Sequence, residues 1–222
     1  MARLRFFPLG VLGVVLAVSI AQGEVVPLSD LVNGGTIQSG DKVFSNFGYN
    51  VTGDMPAAAD VNVETITDLS GNHGIRLVAG FTDSAGGSSS DALVTFDVSV
   101  APGSGELISG AILAANPAVF NGEGLASITE TFLPDVTDDK LVVYDFGEGD
   151  DKLLDSTTFA DPFSTLHVQK DIILHATGDN AAVTLSFVDQ TFPQVPEPAS
   201  VSTLLVGICG LIGLRRRRSV TR

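Results

Sequence analysis

The 222-residue chain has no tryptophan, two tyrosines and one cysteine. A single cysteine forms no internal disulfide, so packing alone must hold the fold even in an oxidising compartment. That cysteine, Cys209, lies in an apolar run near the C-terminal end, where it reads as a small packing residue. Without tryptophan, the broad aromatic platform of many sugar-binding surfaces has only Tyr49, Tyr144 and the phenylalanines to draw on. Basic residues are scarce in the middle of the chain. All twenty-six acidic residues lie between Glu24 and Glu197, alongside only Lys42, Arg76, Lys140, Lys152 and Lys170, so Gln22–Pro198 carries a net charge of −21. Such a field repels nucleic acid and anionic lipid and keeps a folded domain in solution.

Motifs of catalysis and cofactor binding are missing too. No Gly-x-Ser-x-Gly elbow occurs, and Ser88 and Ser104 sit in glycine-rich loops without that pattern. No zinc-ligand spacing and no phosphate-binding glycine loop is present, so no cofactor is expected. Of the three histidines, His73 falls in a turn, while His167 and His175 share one expected strand. Their equal parity puts both on one face, about 26 Å apart, too far to share a metal or substrate. The densest carboxylate cluster is Asp145, Glu148, Asp150, Asp151 and Asp155, interleaved with Gly147 and Gly149. Hard oxygens on a glycine loop are what Ca²⁺ requires. The spacing is not the Asp-x-Asp-x-Asp-Gly pattern and lacks its twelfth-position glutamate, so a solvated acidic turn is the expectation, with these residues as weak calcium candidates. Asp135, Asp138 and Asp139 are weaker still.

What the middle does contain is alternation. From Asp91 to Val100, Ala92, Val94, Phe96, Val98 and Val100 face one way, and the residues between them face the other. Similar periods mark Lys42–Val51, Val61–Thr67, His73–Thr82, Glu106–Ala114, Leu125–Phe132, Lys140–Phe146, Leu166–Ala176 and Ala181–Val188, the last with Val183, Leu185 and Phe187 on its apolar side. Turn residues separate these nine strands, and only Pro27–Val32 reads as a helical turn. The pattern predicts an all-β chain folded as a single antiparallel, jelly-roll-like β-sandwich over residues 22–191. A β-helix is the alternative, although no fixed internal repeat supports it.

The two ends differ from the middle. Arg3 and Arg5 precede an apolar run from Phe6 to Ile20, and Ser19 and Ala21 supply small residues at −3 and −1. Residues 1–21 therefore read as a signal peptide cut after Ala21 by signal peptidase. At the other end, residues 192–198 read as a stiff, exposed linker holding Pro196, Glu197 and Pro198. Ala199–Leu214 contains no charge, and its sixteen residues would rise about 24 Å as a helix, short of the roughly 30 Å hydrocarbon core. This is a marginal transmembrane helix. Residues 215–222, opening with Arg215, Arg216, Arg217 and Arg218, form a basic tail that the positive-inside rule places in the cytoplasm.

The order Pro196-Glu197-Pro198, apolar segment, arginine cluster resembles the PEP-CTERM sorting signal. That signal occurs on exported proteins of Gram-negative bacteria that make extracellular polysaccharide. The resemblance implies processing by an exosortase at or near the motif, after which the protein is released or attached to surface material. Leu31–Tyr49, with Gly40-Asp41 as a turn and Phe44 and Phe47 as core anchors, is similar to the opening of many exported proteins with this tail. The expected role is a non-enzymatic envelope or extracellular-matrix protein, which passes through an inner-membrane intermediate held by its C-terminal helix. Alternatives are a carbohydrate-binding or adhesin module, with Ca²⁺ assistance as a variant, contacting extracellular polysaccharide, and, further off, a polysaccharide hydrolase.

Overall fold

The computed structural model describes residues 23–121, 123–133 and 140–198. Ala21, Ala199–Leu214, Arg215–Arg218, Asp135, Asp138 and Asp139 lie outside the described residues. Fifteen strands are described: β1 Val25–Pro27, β2 Ile37–Ser39, β3 Lys42–Thr52, β4 Asn62–Thr67, β5 His73–Ser84, β6 Ser90–Val100, β7 Glu106–Ala115, β8 Ala118–Phe120, β9 Gly124–Leu133, β10 Leu141–Asp145, β11 Asp151–Lys152, β12 Leu154–Phe163, β13 Thr165–Ala176, β14 Ala182–Thr191 and β15 Gln194–Pro196. One helical turn, α1 Leu28–Val32, buries Leu28 and Leu31, and a 3₁₀ turn follows at Ala58–Asp60. All nine strands expected from alternation are present.

The strands form two antiparallel sheets. One runs β1-β4-β5-β14-β7-β12, with β8 beside β14 and β15 beside β7; the other runs β11-β10-β9-β13-β6-β3-β2. Counting only β5, β6, β7, β9, β10, β12, β13 and β14 along the chain, the first sheet reads 1-8-3-6 and the second 2-7-4-5. Successive strands thus cross between sheets, except that β9 and β10 pair within one, giving two interlocked Greek keys, the jelly-roll arrangement. The β-helix alternative does not hold, because its strands would be parallel and stacked in coils.

Alternation places the core. Along β6, Ala92, Val94, Phe96 and Val98 are fully buried, as are Val168, Ile172 and Leu174 on β13. Two bulges then reset the parity. In β3, Phe44 and Phe47 are three residues apart and would face opposite sides of a regular strand. Asn46 adopts φ 54°, the register shifts between Ser45 and Gly48, and both rings turn inward against Phe96. In β14 the register shifts between Leu185 and Phe187, where Asn116 Oδ1 accepts the N–H groups of Ser186 and Phe187. Phe187 therefore faces outward beneath the Arg76 guanidinium, 4.4 Å from its ring centre, and Val188 takes the core position that simple alternation gives to Phe187.

The Gly40-Asp41 pair closes the two-residue hairpin between β2 and β3, with Gly40 at φ 57° as such turns demand. Gly74 answers a different need. A Cβ there would lie 1.8 Å from the Gln190 carbonyl oxygen, so β5 and β14 approach this closely only because the side chain is absent.

Candidate functional site

The expected linker is built into the sandwich. Phe192 is fully buried and packs 6.0 Å from Phe44, so the core reaches one residue past β14. Pro193 then breaks the line, and Gln194, Val195 and Pro196 pair with Ile108, Leu107 and Glu106 of β7. Pro196 has no N–H to donate, and the ladder ends with the Glu197 N–H on the Gly105 carbonyl at 2.8 Å. The segment is extended and exposed, as two prolines in four residues predict, but it is fixed along its length rather than loose.

The acidic turn has a structural arrangement of its own. Asp145 Oδ2 accepts Val119 N–H at 3.2 Å and Oδ1 accepts Gly147 N–H at 2.7 Å. Asp155 accepts the Val142 and Ser156 N–H groups and pairs with Lys152 at 2.8 Å. Burial alone would raise the Asp155 pKa, yet these donors together hold it below the ordinary aspartate value. Asp151 sits opposite Asp145 in the β10–β11 pair, and Glu148, at φ 51°, and Asp150 occupy the turn. Among the described residues, no three His, Cys, Asp or Glu side chains gather closely enough to hold a metal ion.

Beside this turn opens a cleft of about 570 Å³ lined by Glu123, Gly124, Leu125, Phe146, Glu148 and Asp150. Phe146 is half-exposed and stacks on Tyr144 with ring centres 4.4 Å apart. A second groove, of about 520 Å³, crosses the outer face of the first sheet, where Arg76 and Asp189 form a two-pronged ion pair at 2.6 and 2.7 Å. His167 and His175 lie eight residues apart on β13, as expected, whereas His73, expected in a turn, opens strand β5. His167 pairs with Asp97 at 2.6 Å, Asp97 also accepts Asn46 at 2.6 Å, and His73 meets Thr67.

Sequence reasoning missed one site altogether. Lys170 on β13, Glu130 on β9 and Gln190 on β14 are each no more than 1% exposed and meet between the sheets. Lys170 Nζ donates to both Glu130 Oε2 and Gln190 Oε1. Lys170 and Glu130 are direct cross-strand partners, whereas Gln190 reaches in from the other sheet. Glu130 Oε1 and Gln190 Nε2 are buried with no hydrogen-bond partner. Burial drives Lys170 toward the neutral amine and Glu130 toward the neutral acid, each opposed by the charge of the other. A signal was available. Lys170 shares parity with Leu166, Val168, Ile172 and Leu174, and Glu130 shares parity with Ala126, Ile128 and Phe132.

No curated protein matches the sequence. Similar solved structures include TmCBM61 in complex with beta-1,4-galactotriose, at 10% identity and TM-score 0.33, covering 67% of this chain and 88% of that one. Another is TmCBM27, a carbohydrate-binding module studied for specific mannan recognition, at 11% identity and TM-score 0.28, covering 77% and 97%. The enzymatically active domain of tailspike protein 4 from bacteriophage CBA120 has 15% identity and TM-score 0.28 over 67% of this chain, which spans 20% of that one. At these scores the likenesses carry no argument about a ligand. The family model described as the PEP-CTERM protein-sorting motif matches residues 194–219, which take in β15 and the Pro196-Glu197-Pro198 segment. The chain therefore carries a PEP-CTERM sorting signal, which implies an exported protein processed by an exosortase.

Proposed function

We propose that this chain is a non-catalytic envelope or extracellular-matrix protein of a Gram-negative bacterium, with the acidic jelly roll as the delivered cargo. Signal peptidase frees the N-terminus after Ala21, and Ala199–Leu214 then holds the chain in the inner membrane with Arg215–Arg218 on the cytoplasmic side. The exosortase takes the chain at Pro196-Glu197-Pro198. The observation that carries this reading is the sorting-motif match over residues 194–219, whose first three residues form the extended strand β15, a shape that suits an enzyme that grips backbone. Phe192 is the last core side chain before the motif, so cutting beyond Pro196 leaves the sandwich whole.

The test is to replace Pro196, Glu197 and Pro198 together by alanine, and separately to delete the exosortase. Both should leave a full-length C-terminus in the membrane fraction by intact mass. Unchanged mass and location in both would defeat the proposal.

Phe146 favours a second reading, in which the cleft beside it takes a sugar ring against its exposed face, with Glu123 and Asp150 as hydrogen-bond acceptors. Calorimetry with extracted surface polysaccharide should then show heat that Phe146→Ala removes. No heat with the unaltered protein dismisses this reading.

A further inference from the structure

We propose that Lys170 and Gln190 join in an internal isopeptide bond, formed by the protein itself with Glu130 as the proton-transfer group, which rivets the two sheets together. This inference is independent of how the chain is sorted. The geometry has the three parts such a reaction needs. Lys170 Nζ, the nucleophile, touches Gln190 Oε1, and the carbonyl carbon lies one C=O bond behind it, about 1.2 Å. Glu130 Oε2 touches the same Nζ. The site is sealed from water on every side, since the three side chains are at most 1% exposed.

The chemistry balances without an oxidant or co-reactant. Glu130 takes a proton from the ammonium, which gives the neutral pair that burial already favours. The free amine adds to Gln190 Cδ, forming the new C–N bond, while the Glu130 acid proton supports the developing charge on Oε1. Glu130 then gives its proton to Nε2 and takes one from Nζ, the Cδ–Nε2 bond breaks, and the departing ammonia takes that proton and leaves as ammonium. Lysine ammonium and carboxamide become a secondary amide plus an ammonium ion, and Glu130 returns to the carboxylate. The surrounding core keeps out the water that would compete as nucleophile.

Two features set this cluster apart from an ordinary buried ion pair. Gln190 Nε2 and Glu130 Oε1 are buried and make no hydrogen bond of good geometry, although the two side chains lie close enough for Gln190 to favour the charged Glu130. Unpaired buried polar groups of this kind are rare and call for an explanation. Here Nε2 is the leaving group, so the reaction expels the orphan donor, and the new amide N–H is left beside the Glu130 carboxylate. Location is the other feature. Lys170 and Gln190 belong to different sheets, so the bond would tie covalently two layers otherwise joined by packing and a few hydrogen bonds.

Peptide mapping of the unaltered full-chain protein decides the matter. Trypsin normally cuts after Lys170, separating the peptide Leu153–Lys170 from the one that begins at Asp171. An acylated Lys170 resists, so Leu153 onward should remain one peptide, lighter by one ammonia, with the loss placed by fragmentation on Lys170 and Gln190. Free Leu153–Lys170 at full yield from the unaltered protein overturns the proposal, whatever the variants do. Glu130→Gln keeps the volume and both reacting groups, and it should restore cutting after Lys170 and the missing ammonia. A linked peptide from Glu130→Gln at the unaltered yield overturns the role assigned to Glu130. Where that variant fails to fold, Lys170→Arg serves as the unlinked mass reference.

Discussion

Lys170 has a near twin in Lys42. Both side chains are fully buried, and both donate to a carboxylate and to a glutamine Oε1. The partners differ. Glu130 and Gln190 come from neighbouring strand and opposite sheet, deep between the layers. Lys42 meets Asp41, the preceding residue in the β2–β3 hairpin, at 2.7 Å with that side chain 19% exposed, and Gln194 on the exposed strand β15. The same three chemical groups therefore occur once in the dry centre and once near the rim, where Lys42 Nζ and Asp41 Oδ2 are still buried and only part of the Asp41 side chain meets solvent. A group displaced toward that exposed side can take water. In the centre it can only remain unpaired, change protonation or react.

The sharpest way to test that difference is to remove the carboxylate from each. Glu130→Ala leaves Lys170 as a buried free amine with neither counter-charge nor the proposed cross-link, and should cost at least about 3–5 kcal/mol in urea denaturation, the usual penalty for breaking a buried pair. Asp41→Ala should cost less, about 1–2 kcal/mol, because the Asp41 side chain is partly exposed and Gln194 still accepts from Lys42. Equal losses would erase the distinction between the sites. The distinction also sharpens with a second buried acid, one that has no cation. Asp83, 2% exposed, accepts Ser90 Oγ at 2.6 Å and the Ala176 N–H at 2.7 Å, linking β5 of one sheet to β6 and β13 of the other. Asp83→Ala leaves those donors unpaired and should fall between the two lysine sites, at about 1.5–3 kcal/mol by the same measurement.

The sandwich was largely legible in the sequence because its strands are buried on one face and wet on the other, which is what period two records. Strands that escaped notice are those for which that asymmetry fails. β12 contains Asp155, Ser156, Thr157, Thr158, Asp161 and Pro162 and is exposed along most of its length, so no apolar face marks it. It lies at the sheet edge, where a proline is tolerated. β2, β8, β11 and β15 are three residues or fewer, too short for a period to show. The central triad was half legible. Lys170 and Glu130 sit at core parity with opposite charge, but Gln190 reaches the core only through the β14 bulge, which alternation did not foresee. The motif residues Pro196, Glu197 and Pro198 were read from local pattern. That their strand pairs with β7 was not, since pairing partners depend on the whole topology.

The smallest expected effect concerns a rim carboxylate that holds an edge, and its sign follows from Asp155. Burial would raise this group, but Lys152 and the Val142 and Ser156 N–H groups outweigh burial and lower it. A group whose folded pKa lies below its unfolded value stabilises the fold above the ordinary aspartate range and loses that contribution as pH falls through the folded value. Acidification should therefore loosen the Val142–Asp155 contact between β10 and β12 before it opens the centre. Hydrogen exchange should show Val142 and Ser156 amides losing protection at acid pH while Val168 and Ile172, in the central strand β13, stay protected. Asp155→Asn removes the titration and should flatten that local pH dependence. If Val142 loses protection at the same pH as Ile172, the edge and the centre open as one unit. Rim groups could then no longer relax independently of the core, and the contrast drawn between Lys42 and Lys170 would lose its physical basis.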